Sequence, residues 1–336
     1  MTTVLGIEST AHTFGIGIVR DGKVLANCKE AYTTKSGGII PWYAAKHHLS
    51  ASEHVYKEAL NVSGIKPEEI DAIAFSQGPG LAPCLIQGIN FAKKLSRDLN
   101  KPLVPVNHCI AHLETGGLIN EKIKPKDPVM LYTSGANTQV IAYASGKFRV
   151  FGETLDIGVG NFIDNFARHI GIGFPGGPAI EKLALSSVEG RFVELPYSVK
   201  GMDISLSGIL TNLKQKFDSK KFNLNDLSYS LQESVFAMLV EIAERALAHT
   251  GKNELLLGGG VACNSRLQEM CKIMCDERGA KFFCPSREFL VDNGAMIAFL
   301  GEIEFKAGIK FGGTAAENLD ISPRQRTDDV DVVWRG

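Results

Sequence analysis

Apolar and polar positions repeat along the chain in two similar blocks. From Val4 the sequence reads VLGIEST and then FGIGIVRDGKVLA. That is an apolar strand, a small polar turn, a second strand, an Asp-Gly hairpin turn at Asp21 and Gly22, and a third strand. The same grammar returns from Val129 as VMLYTSGANTQVIAYASGKFRVFGE, with the small polar turn at Ser134 to Asn137 and the hairpin turn at Ser145 and Gly146. The first residues, Val4 and Val129, are 125 positions apart and the hairpin residues Asp21 and Ser145 are 124 apart. A unit repeated once at that period is too long for a solenoid and reads as two similar domains facing each other. Each block continues into further apolar strands, DAIAFSQGPG and KPLVPV in the first half, ELLLGGGVACN and AKFFCPS in the second.

Helical periodicity predicts helices over about 43–59, 84–99, 106–117, 160–170, 177–186, 225–250, 264–278 and 293–305. The strongest is 225–250, where Leu231, Val235, Met238, Leu239, Ile242, Ala243 and Ala246 recur on one face and Gly251 follows the end. The short charged stretch NEKIKPKDP carries two prolines and reads as the boundary between the halves. The expected division is an N-terminal domain over 1–126, a C-terminal domain over 127–305 and an extension over 306–336, whose closing QRTDDVDVVWRG reads as a solvated tail.

Composition narrows the class without choosing a function. The chain has 336 residues, 44% hydrophobic and 22% charged, as in an ordinary soluble protein. No apolar run approaches the ~18 residues of a membrane span, and the start MTTVLGIEST lacks the features of a secretory signal. Seven cysteines, an odd number with no CxxC, give no disulfide framework, and a cytoplasmic location is expected. A net charge of −1 neither requires nor excludes nucleic acid.

Candidate chemistry lies in two places. Three glycine-rich turns follow apolar strands, SQGPG, TSGANT and GGGVACN. Such turns expose backbone N–H groups that can cradle phosphate. No Walker sequence is present, and GIGFPGGP follows a helix, not a strand, so neither a P-loop nor a dinucleotide fingerprint applies. The second place is NHCIAHLETGG, which sets His108 and His112 four residues apart. On one helix face both imidazoles can reach a single ion. The spacing matches the zinc-protease sequence HExxH, but Cys109 stands where that motif has its general base.

Taken together, GIESTAHTFGIGIV, LYTSGANTQVIAY and LLLGGGVACN resemble the phosphate and adenosine motifs of the actin-like ATPase superfamily. With NHCIAHLETG, GPGLAPCL, FPGGPAIEKLA, SLSGILTNL and VDNGAMIA, they resemble one family closely. It is the tRNA N6-threonylcarbamoyladenosine synthases, formerly called O-sialoglycoprotein endopeptidases. ESTAHTFG and YTSGANT are similar to the archaeal and eukaryotic branch, the catalytic subunit of the KEOPS complex. Ser9 departs from the Gly usual in that branch, and Asn161 and Asn165 lie in a turn that varies. The resemblance implies a duplicated actin-like α/β fold, two domains around a nucleotide and metal cleft. It also implies an acyltransferase that passes threonylcarbamate from threonylcarbamoyl-AMP to N6 of adenosine 37 in tRNAs reading ANN codons. A small-molecule kinase of the same superfold and a metal-dependent endopeptidase are the alternatives.

The family resemblance further implies one divalent ion, iron or zinc, held by His108, His112 and Asp292, with Tyr132 as an additional ligand. Capping of the helix predicted from Asn293 is the structural alternative for Asp292. The implied adenine-nucleotide site, for threonylcarbamoyl-AMP, ATP or AMP, comprises Tyr132, Thr133, Ser134, Gly135 and Ala136, with Asp164, Gly177, Glu181 and Asn264. The implied partners are tRNA and separate KEOPS subunits: a Bud-type kinase, a Pcc-type dimeriser and a Cgi-type tRNA-binding subunit. No membrane is implied.

Overall fold

A computed structural model describes residues 1–118, 124–187 and 191–335. Part of the expected boundary stretch therefore lies outside the described residues. The first sheet comprises β1 (Thr3–Glu8), β2 (Thr13–Arg20), β3 (Lys23–Ala31), β4 (Ala72–Gly78) and β5 (Leu103–Asn107), in the order β3-β2-β1-β4-β5. The second comprises β6 (Val129–Thr133), β7 (Thr138–Ala144), β8 (Lys147–Glu153), β11 (Glu254–Gly258) and β12 (Lys281–Phe283), in the order β12-β11-β6-β7-β8. Read from the other edge the orders are the same: three antiparallel strands, then two parallel ones. The repeat seen in the hairpins thus extends to whole sheets. Both hairpin turns take their two residues to positive φ, Asp21 at 47° and Gly22 at 78°, Ser145 at 51° and Gly146 at 77°. That is the turn geometry whose twist matches a two-residue hairpin.

The helices of the first half are α1 (Pro41–Ser63), α2 (Ala82–Leu99) and α3 (His108–Glu114). In the second half, α4 (Val159–His169), α5 (Gly177–Leu185), a two-strand ribbon of β9 (Val199–Lys200) and β10 (Asp203–Ile204), and α6 (Ser207–Asp218) precede α7 (Leu224–Thr250) and α8 (Ser265–Arg278). Short α9 (Arg287–Leu290), α10 (Gly294–Lys306) and α11 (Thr314–Glu317) follow. The predicted α7 is present, and all seven of its named apolar positions are fully buried. Truncating one of its core leucines to Ala would cost about 2–5 kcal/mol. Helix α6 was not anticipated from periodicity; Gly208, Thr211 and Asn212 lower its intrinsic propensity, and burial of Ile209 and Leu213 compensates.

The element predicted over 106–117 is two elements. Strand β5 runs to Asn107, whose Oδ1 accepts from the backbone N–H groups of Cys109 and Ile110 at 3.0 and 3.1 Å. That side-chain cap starts α3 at His108. The end of the chain also differs from the solvated tail expected. Phe311 bridges to Leu103 on the edge strand β5, and Val332 is buried.

Two helices exchange sides between the halves. Helix α10, late in the chain, lies against β1, β2 and β4 of the first sheet, while α3 touches α10, β6 and β11. The approach of α10 is backbone to backbone. A Cβ on Gly294 would sit 2.2 Å from the Gly17 nitrogen, and one on Gly17 would sit 2.2 Å from the Ala295 nitrogen. Only glycine permits this contact, and it brings the residues before α10 to the end of β1.

Candidate metal and nucleotide site

His108 and His112 project from one face of α3, with ring centroids 4.8 Å apart. Asp292 arrives from the segment just before α10. Its Oδ1 lies 3.5 Å from His108 Nε2 and 3.4 Å from His112 Nε2. One ligand atom from each of the three residues falls within 4.8 Å of the others. His108 is 5% exposed and His112 is fully buried. Asp292 does not cap the following helix. Asn293 does so, its Oδ1 accepting from Met296 N at 3.0 Å, which leaves the Asp292 carboxylate to face the histidines.

Behind His108 stands Glu8, a fully buried carboxylate at the end of β1. Its Oε2 is 2.9 Å from His108 Nδ1, while Oε1 accepts from the backbone N–H and hydroxyl of Thr10. A carboxylate on Nδ1 fixes the ring's tautomer and turns Nε2 toward the Asp292 side. Glu8 was absent from the sequence-derived candidates. The signal was a carboxylate closing a six-residue strand that is buried throughout.

The electrostatics couple the two histidines to the two buried carboxylates. Burial pushes the His108 imidazole down, but the Glu8 charge and hydrogen bond, with Asp292, raise it to about 9. Burial lowers His112, and the neighbouring His108 adds to that, so His112 is neutral. Burial would push the Asp292 carboxyl up, yet the His112 hydrogen bond and the His108 charge hold it well below the usual carboxylate range. Once His108 gives up its Nε2 proton, two imidazole nitrogens and one ionised carboxylate form a donor set suited to a first-row divalent ion. Tyr132, on β6 and fully buried, places its ring 5.2 Å from that of His112, and burial keeps its phenol protonated.

Cys109, between the two histidines, is 1% exposed and burial pushes its thiol up to about 12. It is a packing residue, neither thiolate nor base. Glu8 does not replace the missing protease base either, since both of its oxygens hold local partners.

The nucleotide candidates gather across the second half. The turn after β6 is closed by Ser134 N donating to Asn137 O at 2.9 Å, and it seats the start of α4 through Gly160 N to Ser134 O and Asn161 N to Gly135 O. Asp164 Oδ1 accepts from Gly176 N at 2.7 Å, fixing the loop that leads to Gly177. Glu181 Oε1 accepts from both the N–H and hydroxyl of Ser265, while Asn264 Oδ1 caps the first turn of α8. Glu181 and Asn264 therefore meet at one helix N-terminus. The turn containing Gly259 packs on the Thr133 carbonyl, so the TSGANT and GGGVACN turns are adjacent. The first glycine turn, SQGPG, behaves differently. Gly80 N donates to Pro323 O and Leu81 N to Thr10 O, so the chain itself covers that turn.

This architecture, two topologically equivalent sheets with the histidine helix packed against strands of both, is the duplicated actin-like fold. Similar solved structures include T. kodakarensis HypF, with a TM-score of 0.65 and 14% identity, covering 91% of this chain and 48% of that one. The activator of the 2-hydroxyisocaproyl-CoA dehydratase from Clostridium difficile, solved with bound ADPNP, matches at a TM-score of 0.53 and 14% identity over 96% of this chain and 99% of that one. The chain belongs to the tRNA N6-adenosine threonylcarbamoyltransferase (TsaD) family, which matches residues 23–299. The tRNA N6-adenosine threonylcarbamoyltransferase of Thermococcus kodakarensis is 53% identical over 330 residues, 98% of this chain and 99% of that protein. The protein of that name from Methanococcoides burtonii is 50% identical over 99% of this chain and 98% of its own length. A probable bifunctional tRNA threonylcarbamoyladenosine biosynthesis protein of Methanosarcina acetivorans is 49% identical over 99% of this chain, which covers 60% of that longer protein. Among the described residues, no helix is long and apolar enough to cross a membrane.

Proposed function

We propose that the chain transfers the threonylcarbamoyl group of threonylcarbamoyl-AMP to N6 of adenosine 37 in tRNAs reading ANN codons, using one divalent ion. The ion, iron or zinc, is held by His108, His112 and Asp292, with Tyr132 as an additional ligand. In the transfer the N6 amine attacks the carbamoyl carbonyl carbon and a C–N bond forms. The C–O bond to phosphate breaks, AMP leaves with the electron pair, and the amine proton passes to solvent. When bound, the ion supplies Lewis acidity toward an oxygen of the acyl adenylate.

The chain's own residues hold and orient. Glu8 keeps the Nδ1 proton of His108, so that Nε2 offers its lone pair to the ion. The turn Tyr132 to Ala136 and the open backbone at Gly177 take the adenylate. The second carboxylate oxygens of Asp164 and Glu181 accept from its ribose hydroxyls, while their first oxygens hold Gly176 and Ser265. An exocyclic adenine amine is a weak nucleophile, and fixing it against the carbonyl supplies much of the rate. The observation that carries this reading is the convergence of His108 and His112 Nε2 on one Asp292 oxygen. The partners proposed are tRNA and a separate Bud-type kinase, a Pcc-type dimeriser and a Cgi-type subunit, acting in the cytoplasm.

The test is transfer of labelled threonylcarbamate to unmodified tRNA by the reconstituted complex, with metal content measured. His112→Ala and Asp292→Ala are expected to lose metal and transfer together. Transfer that survives metal loss would sink the metal assignment.

A further inference from the structure

Helix α3 spans seven residues, too short to hold its own orientation in isolation. A segment more than 200 positions further along the chain grips it at both ends. Gln325 Oε1 accepts from Asn107 Nδ2 at 3.1 Å, so it fixes the residue that caps α3. Arg335 then grips Glu114, the last residue of α3, in a two-pronged pair, Nε to Oε1 and Nη2 to Oε2, each at 3.0 Å. Trp334 Nε1 donates to the same carboxylate at 3.2 Å.

The other side of this segment is anchored to the second sheet. The Arg335 guanidinium lies 5.5 Å from the ring centre of Tyr143 on β7 and 5.2 Å from that of Phe148 on β8. Tyr143 Oη donates to the Arg335 carbonyl at 2.9 Å. Val330, Val332 and Trp334, at alternate positions, enter the apolar cluster that contains Ile110, Leu113, Tyr132 and Met296. The cluster thus joins α3 with the β6 strand of Tyr132 and with the α10 that follows Asp292.

We propose that residues 325–335 are a positioning strap for the metal helix. The strap sets the pitch of α3 against the second sheet, so that both histidines meet Asp292 at the separation one ion requires. Ligand geometry of this kind must be held within about 0.5 Å, and nothing inside a two-turn helix holds it so closely. The inference rests on the metal reading of His108, His112 and Asp292.

The experiment measures Co2+ affinity by chelator competition and the visible absorption of the Co2+-loaded full chain, for wild type, Arg335→Gln, Arg335→Lys, Trp334→Phe and His112→Ala. Melting temperature is recorded alongside. Arg335→Gln is expected to weaken Co2+ binding roughly tenfold and to shift the absorption bands, an outer-contact effect on a metal site. Trp334→Phe, which fills the same space without the N–H, should weaken it less, and Arg335→Lys should recover part of the loss. Should Arg335→Gln fail to fold, Trp334→Phe and Arg335→Lys carry the test. Wild-type Co2+ affinity and spectrum in the folded strap variants, whatever their melting temperatures, would overturn the strap. If His112→Ala also binds Co2+ as wild type does, the metal reading falls with it; if only His112→Ala loses Co2+, the strap alone is wrong.

Discussion

Replacing Glu8 by Gln changes one buried atom's charge and leaves the shape of β1 intact, which makes it the sharpest probe of the site. In the metal-free protein His108 is held near 9, against an ordinary value of about 6.5, so at pH 7 its imidazole is cationic. Both ring nitrogens then carry protons, and a metal ion can take Nε2 only after that proton leaves. The two units between 9 and 7 correspond to roughly 3 kcal/mol. His112 is neutral and Asp292 ionised already, so neither of them releases a proton. Wild type should therefore release about one proton from His108 per ion bound at pH 7, and its affinity should rise about tenfold per pH unit up to 9. Glu8→Gln removes the charge that raises His108, so this proton is already absent. Calorimetry in buffers of different ionisation enthalpy counts the protons, and chelator competition from pH 6 to 9 gives the slope. A further proton seen in both proteins, and lost in Tyr132→Phe, would report the phenol joining the ion. Equal proton release and equal slopes in wild type and Glu8→Gln would refute the reasoning.

Three other outcomes follow from the geometry. Gly294→Ala places a Cβ 2.2 Å from the Gly17 nitrogen and 2.4 Å from the Ile16 carbonyl carbon. Because backbone cannot step aside as a side chain can, it should cost at least the ~1–3 kcal/mol of ordinary overpacking and weaken metal binding by displacing Asp292; an unchanged urea midpoint would contradict this. Gly177→Ala meets no heavy atom within 4 Å, so stability should hold or rise by about 0.5–1 kcal/mol while affinity for an adenine nucleotide falls. Unchanged nucleotide affinity, measured by calorimetry, would remove Gly177 from the site. His48 is fully buried against Phe14, neither ring nitrogen has a partner among the described residues, and burial with the nearby His47 lowers it to about 4. Its folded value lies below the unfolded one, so its contribution is complete above pH 6.5 and is lost as pH falls toward 4, by roughly 3 kcal/mol. Urea unfolding at pH 7, 5 and 4 should show a smaller acid loss in His48→Leu, and an equal loss would count against the assignment.

Local rules sufficed for much of this protein. Strands and hairpins were legible because alternating apolar runs and the Asp21-Gly22 and Ser145-Gly146 pairs act within a few residues of themselves, and both pairs do adopt positive φ. The duplication followed from their equal spacing, and α7 from its unbroken periodicity. The histidine pair was visible because four residues is one helical turn. That α3 begins only at His108 was less visible, since an apolar run into a helix does not reveal where a side-chain cap will interrupt it.

Tertiary structure decided what surrounds those histidines. Glu8 lies 100 positions from His108 and Asp292 lies 180 from His112, and no periodicity connects them. They meet because Gly17 and Gly294 allow α10 to settle on β1 and β2, and because Asn293 takes the capping role that would otherwise occupy Asp292. The residues expected to form a solvated tail instead hold Asn107 and Glu114, at the two ends of α3. Sequence alone determined the elements and the repeat, through forces that act over one turn or one hairpin. Which charges face one another beside α3 was settled only by close packing between distant segments, where a single methyl group at Gly294 would be enough to prevent it.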